Sequence, residues 1–298
     1  MNYRSPFADD SLPGPDRRTD ITARELYEEY VRPCRPVILT NAFKGRPALG
    51  RWTPEFFRTM YGDVEKEVNG VKYTLARQMD LIELSTDEMP APYSYNLNIE
   101  HHFPELMADV LPHIPFGRTD RLQHPIVPKM LTRGTIKHEV FFGGKGCCFP
   151  VLHVDIQSLH TQVTQVYGDK EFYLYPPDQS PYMYPRTDNP RLSSVNSIFH
   201  PDLERFPLFA QAKVQRAVLR QGETLFFPTG WWHTTYIPGP SISYGRAVLN
   251  HTNWDAYLGE TYQGWRRSRP LLAIPAVLLG KVLGGVFTGM EAVSRGPR

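Results

Sequence analysis

Apolar and polar positions divide this chain into stretches of two different periods. In the first ninety or so residues the apolar positions recur at spacings of three and four. Ile21, Leu26, Tyr27 and Tyr30 surround Thr22-Ala23-Arg24-Glu25, a hydroxyl followed three residues later by a glutamate, and this predicts a capped helix. Thr53-Pro54-Glu55 puts a hydroxyl N-cap before a proline at the first helical position and leads into Phe56, Phe57, Met60 and Tyr61, a second helix. Between them Arg35-Pro36-Val37-Ile38-Leu39 reads as a short buried strand, with Pro36 admissible only at its start or on an edge. After the Pro90 to Pro92 break the period changes to two. Tyr93, Tyr95, Leu97 and Ile99 then alternate with smaller or polar residues, as in a strand with one aromatic face.

From residue 138 onward strand patterns come at short, regular intervals: 138–142, 147–152, 162–167, 171–175, 213–220, 223–227, 231–236 and 241–249. Gly168-Asp169, Gln221-Gly222 and Thr229-Gly230 supply the sequence of hairpin turns between several of them. Eight short strands predict a mainly β fold, a closed or sandwiched barrel with flanking helices. The divisions that follow are a loose arm over 1–19, an N-terminal α/β elaboration over 20–133, the barrel over 134–255 and a C-terminal helical tail over 256–298. In the tail Leu271, Ile274, Leu278, Val282, Val286 and Met290 recur at three or four, which predicts a helix that packs through that face on its own barrel or on a second subunit. The run approaches the length of a bilayer span and holds Gly280-x-x-x-Gly284, but Lys281 lies within it and Pro275 interrupts its start, so insertion is not the expectation.

Composition alters this picture little. Lys plus Arg number 33 against 31 Asp plus Glu, so no basic excess announces a nucleic-acid partner. Three cysteines, Cys34, Cys147 and Cys148, cannot build a disulfide framework and have no zinc spacing, which fits a reducing compartment. The first residues lack the apolar run of a signal peptide, and the expected location is cytoplasmic.

The chemistry centres on Val151-Leu152-His153-Val154-Asp155 and, eighty residues later, His233 after Gly230-Trp231-Trp232. In an extended strand alternate side chains share a face, so His153 and Asp155 point the same way with Cα atoms roughly 6.6 Å apart. An imidazole from a second strand completes two histidines and one carboxylate, the ligand set of non-haem Fe(II) oxygenases with open positions for substrate. His138, His160 and His251 lack this context and are expected to be hydrogen-bonded or exposed, and the tryptophans beside His233 to pack. No Gly-rich phosphate loop and no Gly-x-Ser-x-Gly nucleophile motif is present.

These ligands, with Gln165 to Pro177, Pro201 to Phe209 and Gln221 to Pro228 in that order, resemble the Jumonji-C, cupin-like family of Fe(II)- and 2-oxoglutarate-dependent oxygenases over roughly residues 20 to 255. The resemblance extends Thr74 to Leu84 as a third N-terminal helix and implies a double-stranded β-helix (jelly-roll, cupin) catalytic core. It implies iron on His153, Asp155 and His233, with 2-oxoglutarate and O2 as co-substrates. It also implies that Lys170 pairs with the far carboxylate of 2-oxoglutarate, Arg246 being the competing anchor, that Thr161 bonds a carboxylate, and that Tyr95, or its rival Tyr93, points into the co-substrate pocket. Pro150 and Gly245 depart from the residues common in relatives. The implied reaction is hydroxylation of a peptide or protein side chain. A small-molecule or modified-tRNA substrate stays open, as does a non-catalytic metal-binding cupin, and relatives suggest a homodimer through the C-terminal helix.

Overall fold

A computed structural model describes residues 12–293 apart from residues 94 and 118. Its helices begin where the side chains cap them. The Thr22 hydroxyl accepts from the Glu25 amide, and the Glu25 carboxylate accepts from the Thr22 amide, to open α1 (Ala23–Leu26), which continues as a wider turn over Tyr27–Val31. After α2 (Ala48–Arg51) comes α3 (Pro54–Tyr61), where the Thr53 hydroxyl accepts from the Phe56 amide at 3.1 Å and Pro54 holds the first helical position. Thr74 caps α4 (Leu75–Leu84) in the same way, and Asn98 caps α5 (Ile99–His102). The chain closes on α6 (Trp254–Ser268) and α7 (Pro270–Val293).

Among the described residues twelve strands form three sheets. They are β1 (Asp16–Arg18), β2 (Val37–Leu39), β3 (Glu65–Val68), β4 (Val71–Thr74), β5 (Tyr95–Asn98) and β6 (His138–Gly143), followed by β7 (His160–Tyr167), β8 (Lys170–Tyr175), β9 (Gln215–Leu219), β10 (Thr224–Phe227), β11 (Trp232–Tyr236) and β12 (Ser241–Val248). The large sheet runs β1-β2-β10-β7-β12-β6-β5, the small one β11-β8-β9, and β3 pairs with β4 alone. Every pairing is antiparallel except β1 with β2. Ile38, Val163, Leu225 and Phe227 from the large sheet meet Phe172, Leu174, Ala217 and Leu219 from the small one in a single buried cluster. Each such side chain contributes ~1.5–3 kcal/mol by leaving water, and this burial holds the two sheets together.

The expected closed barrel, a cupin double-stranded β-helix, does not form: both sheets are open, ending at β1 and β5 and at β11 and β9. One reason lies at 147–152, predicted as a strand. Within it only Cys148 makes a bridge, to Tyr236, and the next bridge to β11 is His153 to His233, just beyond it. Phe149 bonds Thr235 and His153 bonds His233, so the three residues 150–152 face the single Thr234 and the ladder is broken by a bulge. The turns also differ from expectation. Gly168-Asp169, Gln221-Gly222 and Thr229-Gly230 do not join hairpins; each is a corner carrying the chain from one sheet to the other. Gly168 is required there, with φ +66° and the Pro240 carbonyl where a Cβ would stand.

The N-terminal region takes part in the large sheet. β2 pairs with β10, and β5 with β6, while β1, from the arm expected to be loose, adds the edge; residues 1–11 of that arm lie outside the described residues. The tail is helical as expected, but the expected stripe is not the face that packs on its own chain. Its buried face is Ala273, Ala276, Gly280 and Phe287, packed against Trp254 and Leu258 of α6, and the predicted packing stripe points outward. Gly280 and Gly284 serve this contact, since a Cβ on either would strike Leu258 or Trp254.

Candidate metal centre

The bulge at Pro150 lays residue 153 alongside β11. His153 and His233 exchange backbone hydrogen bonds of 3.0 and 2.8 Å, and their rings come to 4.2 Å between centroids. The His153 Nδ1 faces the Val151 carbonyl at 3.0 Å and the His233 Nδ1 faces the Trp231 carbonyl at 3.1 Å. A proton on each Nδ1 is donated to that carbonyl, which leaves both Nε2 lone pairs free. Asp155 Oδ1 lies 3.7 Å from the His153 Nε2 and 3.6 Å from that of His233. All three donors lie within 4.8 Å of one another, so one metal ion can touch them all.

The electrostatics suit a cation. Burial works to raise the Asp155 carboxyl, but the imidazoles of His233 and His153, with the Thr161 hydroxyl donating to Oδ2, hold it well below the usual carboxylate range. Burial, then the neighbouring His153, draws His233 down to about 4, so its ring is neutral at pH 7 and its lone pair available. Thr161 is thus engaged by the ligand carboxylate itself.

A cavity of about 200 Å³ opens on the triad, with Lys170, Tyr93, Phe141, Phe149 and Thr235 in its wall. Lys170, at the start of β8, is 3 % exposed; its Nζ donates to the Tyr93 hydroxyl at 3.0 Å and lies 5.0 Å from the centre of the Phe141 ring. No carboxylate lies within ion-pair distance among the described residues, and burial pulls the amine down to about 7. Arg246 is differently placed. Its guanidinium donates to Asp120, to the Ile114 carbonyl at 2.9 Å and to Gln162. Tyr95 points away from the cavity, its hydroxyl donating to the Tyr73 carbonyl at 3.1 Å, and Tyr93 is the tyrosine in the wall. His160, His138 and His251 each bond a hydroxyl, of Thr252, Tyr244 and Tyr27 respectively.

Sequence reasoning missed two acidic residues. Glu139 and Phe141 occupy the face of β6 opposite the core residues His138, Val140 and Phe142. Glu139 lines both the metal cavity and a second one of about 200 Å³ that shares Asp155, Thr161 and Val163. Burial pushes its carboxyl up; Asn96 donates to it, and no cation pairs with it among the described residues. A carboxylate alternating with aromatics in an otherwise apolar strand was the available signal.

Glu260 of α6 is the other, and nothing in the local sequence marks it. It accepts from the Gln157 amide at 2.9 Å, the Ser158 hydroxyl at 2.6 Å and Arg191. Gln157 and Ser158 have φ +61° and +51°, a conformation costly for side-chain-bearing residues. Arg191 in turn accepts from the Val154 amide through its carbonyl, so one carboxylate braces both segments beside Asp155. Glu260→Ala is expected to weaken metal binding at the triad by about tenfold or more, as loss of a supporting shell does, and to speed amide exchange at 154–158. Calorimetric metal titration and hydrogen exchange check this.

The sequence matches the cupin-like domain model over residues 69–243, more than half of the chain. The chain belongs to the cupin-like domain family. Among its relatives it is 25 % identical over 258 residues to the human bifunctional peptidase and (3S)-lysyl hydroxylase JMJD7, covering 71 % of this chain and 76 % of that protein. It is 24 % identical over 248 residues to the arginine-specific demethylase JMJ22 of Arabidopsis thaliana, covering 78 % of this chain and 45 % of the relative. The lysine-specific demethylase 8 of Xenopus tropicalis is 26 % identical over 234 residues, 73 % of this chain and 48 % of the relative. The chain thus spans most of the first and about half of the other two. A cupin-like, Jumonji-related chain with a two-histidine, one-aspartate cluster is equipped as a metal-dependent oxygenase.

Proposed function

We propose that this protein is an Fe(II)- and 2-oxoglutarate-dependent oxygenase that hydroxylates a carbon in a basic side chain of a peptide or protein. The observation that carries the reading is Lys170, a buried amine with no carboxylate partner among the described residues, in the wall of the cavity that holds the triad. Leaving a cation so placed is expensive unless an anion arrives. His153, Asp155 and His233 would hold the iron, and Lys170 with Tyr93 the far carboxylate of the co-substrate. Bound Fe(II), with O2 and 2-oxoglutarate, would supply the oxidising chemistry and release succinate and CO2. The residues around it bind, orient and exclude water: Phe141, Phe149, Phe172 and Phe227 form the apolar wall. The three free thiols suit the cytoplasmic location expected from the sequence.

Glu139 supports a basic substrate. It lines both cavities among apolar neighbours, Ile136, Leu159, Val163 and Ala247, which suit an aliphatic stem ending in a cation. The names of the relatives, a lysyl hydroxylase and arginine- and lysine-specific demethylases, agree with it. The test is mass spectrometry of lysine- and arginine-containing peptides for gain of one oxygen atom, with succinate formed in equal amount. Anaerobic Fe(II) titration should give a charge-transfer band that requires 2-oxoglutarate; absence of that band would overturn the assignment. Glu139→Gln is expected to raise KM for basic peptides about tenfold, the loss of one charge-assisted hydrogen bond. The charge-transfer band should survive in that variant, which separates substrate recognition from co-substrate binding.

A further inference from the structure

The outer face of α7 is apolar from end to end. Leu271, Ile274, Leu278, Val282, Val286 and Met290 are all exposed, Leu271 at 89 % and Val282 at 65 %. The stripe is about 28 Å long at 1.5 Å per residue. A surface helix ordinarily turns a polar face to water, and a continuous apolar patch of this kind marks a contact surface. The inner face is already committed: Trp254 Nε1 donates to the Gly280 carbonyl at 3.0 Å, and Ala273, Ala276 and Phe287 are buried. The helix therefore cannot leave the body to cross a bilayer without opening that contact, although its length and a mean hydropathy of 2.0 would permit a span.

The chemistry at the start of the stripe says what covers it. Trp265, Arg266, Arg267 and Arg269 close α6 and the turn into α7. All three arginines are exposed and none is in an ion pair among the described residues; Arg269 stacks over the Trp265 ring at 5.6 Å. An aromatic beside a basic cluster at the end of an apolar stripe is the composition that sits at lipid headgroups. A second copy of this face would bring no acid to those arginines, because the described part of α7 carries only Lys281, paired with Asp255, and Glu291, which is buried beside Arg121. An anionic lipid surface supplies both complements.

We propose that α7 is a peripheral membrane-docking surface, lying in the plane of an anionic bilayer with its stripe in the acyl boundary and Arg266, Arg267 and Arg269 on the headgroups. The surface is separate from the metal cavity, and the proposal stands whichever substrate that cavity takes. The experiment is sedimentation of the full-length protein with vesicles of phosphatidylcholine alone or mixed with phosphatidylserine. Binding is expected to the mixed vesicles and to be roughly a hundredfold weaker on neutral ones or in Arg266→Gln/Arg267→Gln/Arg269→Gln. Leu278→Gln/Val282→Gln should abolish it while thermal melting is unchanged, since both residues are exposed. Binding indifferent to lipid charge and to the arginines would overturn the proposal. So would a dimer in light scattering that Leu278→Gln/Val282→Gln splits without any vesicle binding, or a protein recovered from membranes only by detergent.

Discussion

Asp155→Ala and His153→Ala proteins are expected to form no Fe(II)-dependent succinate above background while remaining folded. Each change removes one of the three donors found among the described residues, and two donors do not hold a divalent ion in a defined geometry. The fold should tolerate the loss. His153 keeps its place through backbone bonds to His233, and the side chain of Asp155 is held by one hydroxyl, that of Thr161, besides the two imidazoles. The measurements are succinate release against Fe(II) concentration, metal titration, and circular dichroism through thermal unfolding. Undiminished turnover in either variant would sink the assignment of the metal centre.

Lys170→Met is expected to raise the 2-oxoglutarate requirement by roughly a hundredfold or more, the ~3 kcal/mol that follows from stripping the cation out of a buried ion pair. Fe(II) affinity should change little, since Lys170 touches none of the three ligands. A pH dependence goes with it. In the free protein burial draws the Lys170 amine down to about 7. A carboxylate binds the charged amine, so affinity is level below about pH 7, where the amine already carries its proton. Above that pH binding must take up a proton, and the apparent Kd should rise, by up to about tenfold per unit. Lys170→Met should flatten this profile. Calorimetric titration of 2-oxoglutarate into the Fe(II)- or Mn(II)-loaded protein across pH 6 to 9 reads both effects. Should Arg246→Met behave this way and Lys170→Met not, the anchor is Arg246.

Much of the local structure was legible because its causes are local. The capping box at Thr22 and Glu25, the Thr53-Pro54 helix start and the alternation from His138 to Phe142 rest on neighbours within four residues. The strand over 147–152 failed because the chain carries two more residues between Phe149 and His153 than the facing strand does between Thr235 and His233, a bulge that the apolar pattern does not show. The three glycine turns were placed correctly as turns and misread as hairpins. A turn's conformation fixes how the chain reverses, but whether the next strand pairs with the last or crosses to another sheet depends on which strand is already beside it.

The same division holds for the candidate site. His153 and Asp155 face one way because an extended chain repeats every two residues, a property of the sequence alone. That His233 meets them depends on the bulge that brings residue 153 against β11. In sequence Lys170 was the expected anchor and Arg246 its competitor, both cations on predicted strands. Their surroundings differ in the tertiary structure: Asp120 and Ile114, more than a hundred residues from Arg246 along the chain, occupy its guanidinium, and among the described residues no carboxylate pairs with Lys170. The face of α7 was decided in the same way. Its sequence is apolar on two sides, and periodicity ranks them by size of side chain. Only the small residues Ala273, Ala276 and Gly280 let α6 approach closely enough to pack, and that close approach turned the larger side chains outward.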